Sequence, residues 1–486
     1  MTDKRGLAMG VLIFASFMDL LDATIVNVAL PSIQDDLGAT GAQLEWVVGG
    51  YLLAFAVLMI TGGRLGDIAG RRRLFVTGVL GFTAGSLLAC VAPTIGVLLA
   101  ARVVQGGFAA MMVPQMLSTL QALYSPRERA AMLGVVGGVS GLSAVIGPVV
   151  GGWLVSSDAF GMGWRSIFLI NVPVGVVLVV LAVRWVPETR SEHPLRLDPV
   201  GLVLATTGLL GVVYALIEGR SQDWAAWVWA VGAAGLVVLA AFVVQQVRRE
   251  RASGSALLPM RLFSDRGFSA GLVTQGAFQG ALAGFALVLT IYVQAGLGWS
   301  AIHAGMTLLP FSLGAFVGTG ISVPLGMKLG KVVMVTGAAM QSAATVWVLT
   351  TVQGQANGLS TWDLVPALVV AGIGLGMLVV PLVDVALATV PTNEAGAASG
   401  AYGTIQQVGA ALGVAVVGTV FFSVVGTSYD AASLRAGLVA ACWVAAGGYA
   451  LSAVASLLLP SRRQVHAHQE TVERELAESE REPVAG

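Results

Sequence analysis

Fourteen stretches of this 486-residue chain are each long and apolar enough to cross a bilayer, and no other sequence feature limits its fold so tightly. They lie at about 7–30, 44–62, 74–92, 95–120, 130–156, 166–186, 199–217, 225–247, 268–294, 302–326, 332–352, 364–389, 400–425 and 435–459. A spanning helix needs only about 20 predominantly apolar residues. The chain is 56% hydrophobic and 11% charged, where an ordinary soluble domain carries about 25% charge. A soluble fold has no means of hiding that much apolar surface, and a bilayer does. The sequence therefore predicts an all-α integral membrane protein of 14 transmembrane helices. Lys4 and Arg5 precede an apolar run from Leu7 to about Leu30. That run exceeds a signal-peptide core and lacks a cleavage pattern, so it reads as a retained first span.

Charge placement tests this topology. With the N-terminus in the cytoplasm and sides alternating, all but four of the 26 Lys and Arg fall in cytoplasmic segments. Arg165, Arg220 and Arg435 fall outside, and Arg102 lies within the membrane. This skew obeys the positive-inside rule and predicts both termini in the cytoplasm. The formal net charge is zero, which gives no reason to expect a nucleic-acid partner. Cys90 and Cys442 lie in apolar segments without CxxC spacing and read as packing residues.

A short repeat divides the chain. Leu65-Gly66-Asp67-Ile68-Ala69-Gly70-Arg71 follows the second span, and Leu325-Gly326-Met327-Lys328-Leu329-Gly330-Lys331 follows the second span of the last six. The recurrence predicts two six-helix bundles with an inserted helical pair. The divisions expected are 1–190, an inserted two-helix segment at 191–265, a second bundle at 266–460, and a polar tail at 461–486. Two halves related in this way usually enclose a midplane site and rock around it. The inserted pair is expected to be peripheral to that path.

Charges inside a membrane are costly, so they mark where function is to be sought. Asp19 and Asp22 share a face of the first span, and Arg102 and Gln105 share a face of the fourth. A desolvated carboxylate close to a like charge readily loads and releases a proton near neutral pH, and a nearby arginine opposes this. Asp22, Arg102 and Asp19 are thus candidates for proton coupling. The competing reading is a structural Asp–Arg tie between the two spans, and the role of Asp19 is open. The segment after the second span carries Gly63, Gly66, Asp67, Gly70 and Arg71. Its glycines suit a tight turn and its charges suit a conformational latch; the alternative is a plain topogenic basic loop. The fifth span presents Gly137, Gly141, Ala144, Pro148 and Gly152 on one face, suited to close helix contact. The thirteenth presents Gly396, Gly400, Gly403, Gly409 and Gly413 around Gln406 and Gln407, whose amides could line a polar path.

Together these segments resemble the major facilitator superfamily, and within it the fourteen-span drug:proton antiporters, over about residues 6–460. Leu21 to Pro31 resembles the first-span motif, and Gly63 to Arg73 the superfamily loop motif, which implies a latch through Asp67 and Arg71. Arg102 to Gly107 resembles the fourth-span motif, which implies proton coupling. Gly147-Pro148-Val149-Val150-Gly151-Gly152 resembles the antiporter motif of the fifth span. Trp164 to Pro173 is also typical of the fourteen-span group. Asp19 stands where that pattern is uncharged. Asp384, in the twelfth span, matches no family requirement and reads either as a second binding carboxylate or as a snorkelling residue.

The expected function is proton-driven export of drug-like or natural-product molecules by alternating access. The expected substrate is a small molecule, with lipophilic cations a candidate class, and the expected partners are protons and membrane lipid around a monomer. No cofactor is expected, the proton gradient being the energy source, and no metal site is expected. Trp46, Tyr51, Phe285, Tyr292, Tyr402, Gln105, Gln406, Gln407 and Asp384 are substrate-binding candidates; the aromatics suit cation–π or stacking contact or simple packing. Alternatives are a dedicated exporter of one metabolite or self-made antibiotic, and a non-transporting receptor. The four His are scattered and no Ser/His/Asp or HExxH pattern occurs, so an enzyme is not indicated. Three lysines against 23 arginines point to a GC-rich bacterial genome, and so to a bacterial cytoplasmic membrane.

Overall fold

Backbone N–H and C=O groups have no water to bond within lipid, so each apolar stretch must satisfy them internally as a helix. The computed structural model describes residues 2–124, 126–158, 161–191, 197–253, 256–258, 260–355, 358–387, 395–426 and 428–460. The helices are α1 (Thr2–Leu37), α2 (Gly41–Ala69), α3 (Arg71–Cys90), α4 (Ile95–Leu123), α5 (Pro126–Ser156), α6 (Ser166–Leu169), α7 (Asn171–Trp185), α8 (Pro199–Glu218) and α9 (Ala226–Ser253). They continue with α10 (Arg266–Ile291), α11 (Ala301–Thr307), α12 (Leu309–Leu329), α13 (Val332–Gly354), α14 (Thr361–Leu387), α15 (Ala395–Val425) and α16 (Ala431–Leu457). No strand occurs among the described residues. Thirteen of the described spans are long and apolar enough to cross a bilayer. The remaining candidate is α5, 31 residues long, whose apolar stretch is described over Ile146–Ser156. Two spans are broken: α6 and α7 are consecutive pieces of one crossing, as are α11 and α12, where Pro310 opens the second piece.

Polar caps set several starts. Thr40 accepts from Gln43 N, and Gln43 Oε1 accepts from Thr40 N at 2.9 Å, a reciprocal box that opens α2. Asp198, Asp265 and Asp430 cap α8, α10 and α16 by accepting the backbone N–H three residues on. The duplicated motif ends both of its helices alike. Gly70 (φ +112°) and Gly330 (φ +56°) stop α2 and α12, and each donates its N–H back to the glycine four residues earlier. Only glycine adopts such angles without strain.

The expected tight turn from Gly63 onward is corrected here. Gly63 and Gly66 are helical, and the chain turns only at Gly70. The earlier glycines serve packing instead. Gly62 lies against the Ala110 carbonyl, Gly63 against Pro114 and Gly66 against the Gln115 amide, so a side chain at Gly62 or Gly66 would collide with α4. The same economy of bulk joins α10 to α15, where a Cβ on Gly409 would stand 2.5 Å from the Gly276 carbonyl. Gly137, Gly141, Ala144, Asp384 and Gly396 lie in helices, and their packing is outside what the structure describes.

Helices α1–α7 pack among themselves, and α10–α16 likewise. The two groups meet mainly along two flanks, α2 against α15 and α5 against α11 and α12, and α1 also touches α10 and α11. We call the face that carries Gly70 and Gly330 the terminal face and the opposite one the far face. Toward the far face, Phe422 covers Gly41 (2.7 Å from a Cβ there), and Gly152 abuts Ala301 and Ile302. The inserted pair α8–α9 does not stand apart. α8 contacts both α2 and α15. Trp46 Nε1 donates to Glu218 Oε1 at 3.1 Å, and Thr419 Oγ1 donates to the Leu216 carbonyl at 2.7 Å. The inserted pair is thus fastened to both groups at the far end of the α2–α15 seam.

Candidate functional site: a buried charge cluster

α1, α2, α3, α4 and α7 each bring a polar side chain to one point inside the first group. Asp22 of α1 and Arg102 of α4 form an ion pair at 2.6 Å with both side chains 1% exposed. Arg102 Nη1 also donates to Gln105 Oε1 at 2.9 Å, and its Nε donates to the Val47 carbonyl at 3.1 Å. Its guanidinium lies 4.2 Å from the Tyr51 ring centroid, a cation–π contact that replaces some of the lost hydration. Asp22 Oδ1 accepts from Asn171 Nδ2 at 2.7 Å and from Gln105 Nε2 at 3.2 Å. Ser86 closes the ring, its Oγ accepting from Gln105 at 2.7 Å and from Asn171 at 3.3 Å. Asp19, one turn before Asp22, accepts a short hydrogen bond from the Tyr51 hydroxyl. All seven residues are buried. Small residues make the approach possible: Gly85 faces Gln105, and Gly106 lies against the Tyr51 carbonyl.

The cluster thus unites Asp22, Arg102, Asp19 and Gln105 with Tyr51, which was expected as a substrate contact and here holds Asp19. Asn171 and Ser86 escaped the sequence reading. Asn171 sat within the segment from Trp164 to Pro173, but a neutral amide gives no signal of its partner. Breaking a buried ion pair on one side costs about 3–5 kcal/mol, because the other charge is left uncompensated. Asp22 and Arg102 accordingly hold each other in place.

At the terminal face Asp67 pairs with Arg71 at 2.8 Å across one helical turn of sequence. Glu188, beyond α7, takes Arg72 N at 3.2 Å and packs against Gly70, while Arg71 N donates to Thr189 O at 3.0 Å. These contacts tie the α2–α3 junction to the end of α7, all within the first group. The antiporter-motif glycines lie on the face of α5 that meets both groups. Gly147 rests on Thr24 and Gly151 on Ile25 of α1. Gly152 rests on Ala301 and Ile302, and Gly305 of α11 returns the contact against the Pro148 carbonyl.

The remaining candidates are dispersed. Trp46 binds Glu218 of the inserted pair. Tyr402 donates to Gln275 Oε1 at 2.7 Å between α15 and α10, with Gln406 and Gln407 half-buried on the next turn. Phe285 is buried within α10, and Tyr292 is buried in the π-helical turn that extends it.

Residues 12–414 match the family model of the Major Facilitator Superfamily. The chain is 43% identical over 429 residues to a probable actinorhodin transporter of Streptomyces coelicolor, covering 88% of this chain and 74% of that one. It is 36% identical to a puromycin resistance protein of Streptomyces alboniger, covering 86% and 82%, and 33% identical to a tetracenomycin C resistance and export protein of Streptomyces glaucescens, covering 86% and 75%. Among solved structures, a POT family transporter with a bound thioalcohol-conjugated peptide superposes with a TM-score of 0.66 over 92% of this chain and 94% of its own, at 14% identity; that likeness concerns the fold. The chain is a multi-pass membrane transporter, not an enzyme, and it belongs to the Major Facilitator Superfamily, alongside that superfamily's drug and antibiotic exporters.

Proposed function

We propose that the protein is a proton-coupled antiporter that exports drug-like or natural-product molecules from a bacterial cell by alternating access. The observation that carries this reading is the buried Asp22–Arg102 pair, in a chain whose relatives are named for the transport of, or resistance to, antibiotics. A proton arriving on Asp22 removes the charge that holds Arg102. Arg102 then keeps Val47 O and Gln105 Oε1, so the pair opens without stranding the guanidinium. Asp19, bridged by Tyr51 to the same helices, is the second acid of the relay and a point of attraction for a lipophilic cation. The arginine skew places both termini in the cytoplasm, so the terminal face is cytoplasmic and the far face external.

In this reading residues 1–190 and 266–460 are the rocking units of a monomer, and 191–265 spans their seam. Asp67, Arg71 and the glycines around them hold the cytoplasmic side of the first unit. Gly147, Pro148, Gly151 and Gly152 form the sliding face of α5. Small residues there let two helices close tightly without side-chain interlock.

A second reading, a dedicated exporter of one compound, is favoured by relatives named for single antibiotics. Efflux from proteoliposomes separates the two. With actinorhodin, puromycin, tetracenomycin C and ethidium as the panel, a multidrug carrier is expected to move at least two unrelated compounds. Transport of one compound only would assign the dedicated role, and transport of none under an imposed proton gradient would reject export of this substrate class.

A further inference from the structure

The α2–α15 seam contains an acid that the Asp22 cluster does not use. Glu45 lies just past the first turn of α2, 0% exposed, and neither carboxylate oxygen has a hydrogen-bond partner. α15 packs directly on it: a Cβ on Gly418 would lie 2.7 Å from the Glu45 carboxyl carbon. The carboxyl group is therefore part of the contact between the two groups of helices.

The charged groups that face it come from the inserted pair, and neither satisfies it. Arg220 donates Nη1 to the Phe422 carbonyl at 2.9 Å, lies over the Phe422 ring at 5.1 Å, and leaves its Nε unpartnered. Glu218 accepts from Trp46 Nε1 and, at 2.8 Å, from Ser221 Oγ. The other titratable neighbour is Tyr429, after α15, which bonds Gln34 at the end of α1. A carboxylate sealed into an apolar contact without a donor is strongly disfavoured, whereas the neutral acid is tolerated.

We infer that Glu45 is a second proton-binding site, built into the external gate: it takes a proton from the external medium before α2 and α15 close over it, and returns that proton when they part. The proton enters and leaves on the same side. The site therefore sets the pH dependence of the gate and adds nothing to the transport stoichiometry. External acid favours closure; external base favours opening, in which the ionised carboxylate meets water and the unpartnered Nε of Arg220. The inference rests on the orientation proposed above and on alternating access, but not on the role of Asp22.

The test is a distance measurement on the full-length protein in lipid nanodiscs without substrate. Spin labels on Asp35→Cys and Ser360→Cys, both exposed on the far face, report its opening by pulsed electron paramagnetic resonance; Cys90 and Cys442 are buried. Between about pH 5 and about pH 8 the open-to-closed ratio of the otherwise native protein is expected to rise, by at most about tenfold per pH unit for one linked proton. Glu45→Gln and the apolar Glu45→Leu are expected to stay closed across that range, and either variant suffices if the other is not produced. A native protein that does not respond, or a response that persists in both Glu45 variants, would overturn the proposal. Undiminished gradient-driven export in Asp22→Asn would reject the coupling role of Asp22 and leave this distance test standing, so the two readings fail separately.

Discussion

Asp22→Asn is expected to reach the membrane and to lose gradient-driven export. One proton entering down about 100 mV and one pH unit supports an accumulation ratio of roughly 500-fold for a neutral substrate. The variant's ratio is expected to fall to about one. The substitution is chosen because it keeps the shape of the site. Asparagine can still accept from Asn171 and Gln105 through its carbonyl oxygen, and Arg102 retains the Val47 carbonyl and Gln105 Oε1. What is lost is the titratable charge. Facilitated flow down a substrate gradient can persist, and the difference between uphill and downhill movement is the readout. Undiminished accumulation in Asp22→Asn would remove Asp22 from the coupling step and leave the ion pair as a tie between α1 and α4.

The second large effect is expected at the α5–α11 contact. A Cβ on Gly152 would stand 2.5 Å from the Ala301 carbonyl oxygen and 2.6 Å from the Ile302 Cα. Both neighbours are backbone, so neither can rotate away. Gly152→Leu must hold α5 and α11 apart in the state seen here, and overpacking of this kind costs about 1–3 kcal/mol. If the carrier cycles through this closed state, its population is expected to fall roughly tenfold to a hundredfold, and turnover with it. Because Gly152 meets the second group while Gly147 and Gly151 meet α1, the first group should fold normally, as size-exclusion chromatography of the purified variant would check. Native turnover in Gly152→Leu would show that this contact is not part of the cycle.

The parts of the structure legible in the sequence are those that a bilayer imposes. A spanning helix must be apolar along its length, so its position is visible residue by residue. A membrane charge is rare enough that Asp22 and Arg102 point to each other across eighty positions. The duplicated glycine motif was legible because Gly70 and Gly330 each need a positive φ. Tertiary neighbours were less visible. Asn171 and Ser86 are neutral and short, and neither their own type nor their spacing announces a partner on another helix. Gly63 and Gly66 read as turn residues because glycine serves turns and close packing equally, and only the presence of Pro114 and Gln115 opposite decides between them. Glu45 sits at the edge of its apolar window, where an acid normally faces the headgroups; that α15 covers it is a fact of packing. The docking of the inserted pair was hidden for the same reason, since hydropathy specifies that α8 crosses the membrane but not that Trp46 and Thr419 hold it to the seam.

The most direct test of the account is substrate-driven proton movement in proteoliposomes carrying a pH-sensitive dye in the lumen, with any panel compound that the carrier moves. An outward substrate gradient imposed without a pH gradient is expected to draw protons inward and acidify the lumen, and Asp22→Asn is expected to abolish this acidification. Substrate movement with no accompanying pH change in the native protein would contradict proton antiport.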